Sequence, residues 1–325
     1  QKADALLHEL ALPVRDPDIL KQIAMTAMTG KGAEGHKEKL AELIVSAANQ
    51  VAAGREISLQ DIKLQKIKGQ DVRDSEIFQG LVLERERANS AMPTLVKDAK
   101  VLLVDFSLEI KNPETEAKIA VSTPEQLESF LASEERYLKM MTEKIISTGA
   151  NVVFCQKGID DVAQYYLAQA GVFACRRVSK SDLEFLARAT GAKILSNLHD
   201  VHGSALGDVR EVEEKFFGED HTIYFKGCQN PRVATIILRG ATGHVVDEIE
   251  RAVKDGLGDV IATVKSGKVV PGGGAIEMEL ARRLRVFAKT MGGREQLAIE
   301  EFAHALESIP EALAENAGLD PLDIL

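Results

Sequence analysis

The chain has 325 residues, 28% of them charged, a formal net charge of -10, no Trp and few aromatics. That acidic balance lacks the basic footprint of a nucleic-acid binder, and no apolar run reaches the ~18 residues a membrane span needs. The length suits two or three domains. Cys155, Cys175 and Cys228 are scattered, with neither metal-ligand spacing nor a disulfide framework, so we expect small buried hydrophobes in a reducing compartment.

Taken in chain order, Gln1 opens directly into helical spacing at Ala5, Leu6, His8 and Glu9. The far end, "NAGLDPLDIL", stops as a new helix begins after Pro321, and no signal peptide is visible. We therefore expect the chain to be the middle of something longer. Residues 1–52 read as helical, with Leu40, Leu43, Ile44, Ala47, Ala48 and Val51 on one face after the Gly-rich break "MTGKGAEGHKEK". Lys31 sits there between two glycines, without the strand and spacing of a phosphate-binding P-loop.

From about residue 62 the texture changes. "VLLVDF", "ANVVFC", "GVFACRRV" and "VATIILRG" are short apolar runs bounded by Gly, Asn or Asp and predict buried strands. "GIDDVAQYYLAQAG" and "KSDLEFLARATGA" between them predict helices closed by glycine. In the second, Leu183, Leu186 and Ala189 share a core face, which leaves Phe185 projecting between Glu184 and Arg188. An exposed ring among charges can touch another polypeptide; single exposed apolar residues are also common.

A polar stretch interrupts this block and then turns amphipathic. Thr123 is placed to cap a helix with Pro124 at its first position and Gln126 at the capping-box position. Leu127, Phe130, Leu131, Tyr137, Leu138 and Met141 form its stripe. The segment is either a surface loop feeding a core helix or a protruding arm that meets another protein.

After residue 240 the pattern is helical again, so α/β material is inserted between helical segments. Val246, Ile249, Val253 and Leu257 form a buried stripe, with Glu248, Arg251 and Asp255 on the opposite side. Asp255 can be a surface partner of Arg251, or a carboxylate that accepts from, and so orients, an attacking water. "VVPGGGAIEMELARRL" places three glycines before a helix whose face is Ile276, Leu280, Leu284, Phe287 and Met291. The triplet is either a turn for a tight helix crossing or bare backbone for an anionic ligand at a helix start.

Together "IAMTAMTGKGAE", "MPTLVKDAKVLLVDF", "GANVVFCQKGIDDVAQYYLA", "RRVSKSDLEFLARATGA", "DEIERAVKDGL", "PGGGAIEMEL", "GREQLAIEEFAHALESIP" and "LAENAGLDPLDIL" resemble a group II chaperonin subunit along essentially the whole chain. The texture is that of the archaeal thermosome, with the eukaryotic cytosolic chaperonin similar. The resemblance implies an α+β multidomain fold. Residues 12–70 and 240–268 would form a discontinuous intermediate domain, and 71–239 an inserted α/β apical domain with a lid protrusion at about 110–138. Residues 1–11 and 269–325 would be part of an equatorial ATP-binding domain.

It also implies an ATP-dependent chaperone that encloses unfolded proteins in a cytoplasmic double ring of identical or paralogous subunits, without nucleic acid or membrane. By position, Asp255 would activate the hydrolytic water, Gly272 and Gly273 would line ATP or ADP, Asn316 and Ala317 would lie near the base, and Lys31 would belong to a nucleotide-sensing loop. Lys254 and Gly256 depart from the commoner His or Asp and Ala of relatives. The family's Gly-Asp-Gly-Thr-Thr motif, which holds phosphates and Mg²⁺, is not in these residues, so no metal ligand is expected within the chain and the chain alone is expected to be inactive. The alternative is an ATP-independent holding module with a vestigial nucleotide site.

Overall fold

The computed structural model describes residues 1–14, 16–52, 57–110, 123–217, 220–228 and 233–324. The chain opens with α1 (Lys2–Leu10), β1 (Leu12–Pro13), α2 (Pro17–Met28), α3 (Lys37–Ala52), β2 (Ile62–Lys68), β3 (Glu76–Leu83) and β4 (Leu95–Val104). Next come α4 (Pro124–Ser147), β5 (Val152–Cys155), α5 (Asp161–Gln169), β6 (Phe173–Cys175), α6 (Lys180–Thr190) and β7 (Ile194–Leu195). It closes with β8 (Gly207–Phe217), β9 (Asp220–Cys228), β10 (Ala234–Gly240), α7 (Gly243–Ser266), β11 (Lys268–Val269), α8 (Ala275–Ala288), α9 (Arg294–Asn316) and α10 (Pro321–Ile324). Two compact units result: Lys21–Ile261, and Gln1–Leu20 with Ala262–Leu325. The architecture is mixed α and β, with helical segments at both ends around an inserted sheet.

The larger unit is built on that sheet, whose described strands run β2-β10-β3-β9-β8-β4-β5-β6, with β7 beside β4. β10 lies parallel to β2 and antiparallel to β3, while β4, β5 and β6 are parallel neighbours. Parallel neighbours need long crossovers, and α4 and α5 supply them, so helices cover this part of the sheet. Coverage on both faces is why β5, β6 and residues 101–104 of β4 are uninterrupted apolar runs. Along β4, Val101 and Leu103 enter one core while Leu102 and Val104 enter the other; β5 divides Val152 and Phe154 from Val153 and Cys155 in the same way. The first core is closed by Leu183, Leu186 and Ala189 of α6, the second by Leu138, Met141 and Ile145 of α4 with Ala163 and Leu167 of α5. Gly191, left-handed at φ 77°, ends α6 as the sequence predicts.

Among the described strands, β2, β3, β8 and β9, like the two-residue β1, β7 and β11, are not among those the apolar runs predict. β2 buries Lys63 and Gln65, so polar groups occupy positions where the pattern asks for an apolar side chain. β3 has its apolar pattern interrupted by Gly80 at φ 142°, where an added Cβ would lie 2.2 Å from the Phe225 carbonyl oxygen. β8 is dense in charge: Glu211 and Glu213 both meet Lys226 of β9 at 2.6 Å, and Glu214 is buried.

Helix α4 starts as predicted, with Thr123 Oγ1 accepting from the Gln126 amide at 3.3 Å and Pro124 at the first position. Its stripe divides. Leu138 and Met141 are buried, whereas Phe130, Leu131 and Tyr137 are exposed; the side chain of Leu127 lies outside the described ones. Residues 111–122 of the expected lid also lie outside the described residues.

In the smaller unit, α1, α8 and α9 pack around Leu6, Ile276, Leu280, Ala281, Leu284 and Ala303. β1 pairs antiparallel with β11, Leu12 opposite Val269. Phe287 is half-buried with the Lys2 ammonium 5.4 Å from its ring centre. Both terminal nitrogens of Arg285 donate to the Glu307 carboxylate, a fork-to-fork pair on a nearly buried acid. No described helix is long and apolar enough to cross a membrane.

Candidate functional site

Helix α7 buries Val246, Ile249, Val253 and Leu257, as its periodicity predicts. The same winding turns Glu248, Arg251 and Asp255 outward. Sequence spacing offered Arg251 as the partner of Asp255, and the structure corrects this. Arg251 faces Glu248 at 3.7 Å, while Asp255 Oδ2 accepts from Lys31 Nζ, 224 residues away. The Asp255 side chain keeps 49% of its surface exposed and that of Lys31 34%. The carboxylate therefore has one oxygen engaged and remains accessible to water.

Local chemistry holds the Lys31 loop in place. Thr29 Oγ1 donates to the Met25 carbonyl at 2.9 Å as α2 ends, and Gly30 turns left-handed at φ 74°. Glu34 then accepts from the Gly30 amide at 2.9 Å and from Lys37 Nζ at 3.2 Å. The backbone bond first, and the ammonium second, hold the Glu34 carboxyl below its ordinary range. Gly32 lies directly against α7, since a Cβ there would sit 3.2 Å from Glu248 Cβ. Gly256 allows a similar approach on another face, with its missing Cβ 2.9 Å from Ile44 Cδ1 and 3.5 Å from the Ala24 carbonyl oxygen. Sequence reasoning did not single out Glu34. The spacing of a carboxylate four residues after Gly30, in "GKGAE", is the signal that could have found it.

The glycine triplet resolves into different roles. Gly274 caps α8 at φ 82° and its missing Cβ would lie 2.6 Å from Pro310 Cβ, so it serves a tight helix crossing. Gly273 needs glycine for its backbone, at φ 69°. Gly272 has neither reason: its φ is ordinary and no atom lies within 4 Å of a Cβ there. Gly272 and Gly273 are exposed, and they offer bare backbone ahead of a 14-residue helix, where unpaired N–H groups favour negative charge. Asn316 and Ala317 stand exposed at the end of α9, where the Ala317 amide donates to the Leu313 carbonyl at 3.1 Å.

On α6 the structure departs from the expectation of a free aromatic ring. Phe185 is half-buried against the core, with Lys63 Nζ 5.9 Å and Arg188 Cζ 5.4 Å from its ring centre. Arg188 Nη1 donates to the Gln60 carbonyl at 2.7 Å, and Lys63 Nζ donates to Asp182 at 2.5 Å. Burial draws the Lys63 ammonium below its ordinary range, partly offset by Asp182. Phe185 and Arg188 thus tie α6 to the start of β2, with half-buried Glu184 beside them.

The three cysteines are free thiols, Cys155 and Cys175 buried and Cys228 half-buried. Burial pushes them up to about 11, 12 and 11 respectively, so they are protonated and unreactive near neutrality. Among the described residues no group of three or more His, Cys, Asp or Glu is placed to hold a metal.

The profile of the TCP-1/cpn60 chaperonin family matches residues 1–325. The chain belongs to the TCP-1/cpn60 chaperonin family. It is 50% identical over 331 residues to a thermosome subunit beta of Archaeoglobus fulgidus, covering 100% of this chain and 61% of that protein. It is 51% identical over 332 residues to a thermosome subunit of Methanopyrus kandleri, again covering 100% of this chain and 61% of the relative. Among solved structures it is similar to an open-state monomer of a group II chaperonin from Methanococcoides burtonii, with TM-score 0.82 and 43% identity over 99% of this chain and 76% of that one. This chaperonin chain therefore spans about three fifths of the length of the curated relatives it matches.

Proposed function

We propose that this chaperonin chain is the greater part of an ATP-driven folding subunit that works in a double ring of identical or paralogous copies and encloses unfolded clients. In this reading residues 12–70 and 240–268 transmit, 71–239 hold the client with a lid at about 110–138, and 1–11 with 269–325 contribute to ATP binding. The observation that carries it is the Lys31–Asp255 pair: an accessible carboxylate on a rigid helix, gripped by a lysine on a glycine-hinged loop. A surface ion pair adds little to stability, so holding these two groups together across the chain calls for another reason.

Bound ATP with Mg²⁺ supplies the phosphoanhydride to be cleaved and the cation that neutralises its oxygens. Gly272 and Gly273 fit such a group, because their backbone is bare, exposed and at a helix start, and Asn316 with Ala317 are assigned to the base. Magnesium keeps several waters and takes few protein carboxylates, and by the resemblance those ligands would lie outside these residues. Asp255 positions a water by accepting its hydrogen bond, since phosphoryl transfer rests more on positioning than on strong basicity. Lys31 occupies one Asp255 oxygen in the arrangement seen, and the other oxygen is the one left to accept from that water.

The test is Asp255→Ala in the complete protein. ATP binding is expected to persist while turnover falls by roughly 10²-fold or more. Near-normal turnover would reduce Asp255 to a tether for Lys31.

A further inference from the structure

Two glycines follow Asp255 at once, Gly256 and Gly258, inside the unbroken 24-residue span of α7. A glycine in a helix interior opens more readily than an alanine, by roughly fivefold in population, because its backbone regains more freedom. Gly256 has a packing reason to be there: a Cβ would lie 2.9 Å from Ile44 Cδ1. Gly258 has none. Among the described residues no atom lies within 4 Å of a Cβ at that position, and its backbone is ordinary helix, which alanine prefers.

The two ends of α7 are fastened separately. Near its start, Lys66 Nζ of β2 meets Asp247 at 2.9 Å and Glu250 at 3.0 Å. A Cβ on Gly240 would stand 2.7 Å from Val246 Cγ2, so this half of the helix is seated closely on the sheet. Past its other end, the Gly267 carbonyl accepts from the Val14 amide at 3.0 Å, and β11 pairs with β1. The division between the two units falls between these anchorages, after Ile261, about one turn beyond Gly258. The helix is therefore soft between its anchors, on the side of Asp255 that leads on to Gly272 and Gly273.

We propose that α7 bends at Gly256–Gly258 during turnover and that Gly258 is a positioning residue for Asp255. Glycine is one of the few causes of a sharp bend within a helix. A bend here turns Asp255, together with the half seated on the sheet, relative to the half that leads to Gly272 and Gly273. The free carboxylate oxygen is then set against the attacking water from within the helix. The positioning role rests on the reading of Asp255 given above, whereas the bend does not.

Hydrogen exchange on the complete protein without nucleotide tests the bend. The amides of Val260 and Ile261 donate to the preceding turn, across the glycines, while those of Ile249 and Val253 donate upstream of them. All four residues are buried, so burial does not separate them. Protection factors at Val260 and Ile261 are expected to be about tenfold or more lower than at Ile249 and Val253, and to rise by roughly fivefold in Gly258→Ala. Steady-state kinetics test the positioning. In Gly258→Ala, kcat for ATP is expected to fall about fivefold with KM unchanged, and Gly258→Ser, intermediate in helix preference, is expected to fall between. Uniform protection along α7, or no gain of protection in Gly258→Ala, would overturn the bend. Equal kcat in the three proteins, or a change in KM alone, would overturn the positioning role. Near-normal turnover in Asp255→Ala would instead overturn the hydrolytic reading and leave the exchange result standing.

Discussion

The carboxyl of Glu34 accepts the Gly30 amide and faces Lys37, and both interactions hold it below its ordinary value of 4.5. A depressed carboxylate stabilises the fold above its unfolded pKa, and that contribution fades as pH falls through the folded value. The Lys31 loop should therefore loosen only below about pH 4.5. Hydrogen-exchange protection of the Gly30 amide is expected to fall there in the wild type, and to be low and flat with pH in Glu34→Gln. Constant wild-type protection through the acid range would remove Glu34 from that role. At this scale the sequence was least legible. Lys31 and Asp255 lie 224 residues apart, and Arg251, one turn before Asp255, was the nearer partner on paper. Phe185 was misjudged for a similar reason: helical spacing turned it off the stripe, but the cation that covers it from outside the helix, Lys63, comes from a strand the spacing does not reveal.

Strands and helices were legible wherever burial followed hydrophobicity. Residues 101–104 of β4, β5 and β6 are buried on both faces and apolar throughout, and β10 is buried along its length around the run Ile236–Leu238. β2 and β8 are not readable by that rule, because paired charges, Lys63 with Asp182 and Glu214 with Arg87, occupy buried positions. Two glycines make the contrast between structural and open positions measurable. Gly80 combines a strained φ with a Cβ position 2.2 Å from the Phe225 carbonyl oxygen, so Gly80→Ala must displace a strand. We expect a loss of about 3 kcal/mol in urea unfolding of the larger unit. Gly272→Ala meets nothing within 4 Å and no positive φ. Its stability is expected to shift by less than about 1 kcal/mol, while ATP affinity of the complete protein falls. Unchanged affinity would take Gly272 out of the nucleotide assignment.

For the molecule as a whole, the smaller unit leaves Leu297, Phe302, Ile309, Leu313 and Leu322 exposed, between 47% and 89% of each. If these side chains are buried in the longer protein we propose, that surface closes there. The 325-residue chain is expected to bind an apolar dye such as anilinonaphthalene sulfonate more strongly than the complete subunit does. Equal binding would show that this surface stays open in the longer protein. The sequence made the inserted order readable, since helical texture returns after residue 240. What it could not convey is where the last strand goes. β10 is buried along its whole length between β2 and β3. On the ribosome, then, the first two strands of this sheet emerge long before the strand that joins them. At about 5–20 residues per second, roughly 8 to 30 s separate the end of β3 from the end of β10. Throughout that interval β2 and β3 hold unpaired edges in a crowded cell, so a chain that resembles folding machinery spends its own synthesis in need of protection.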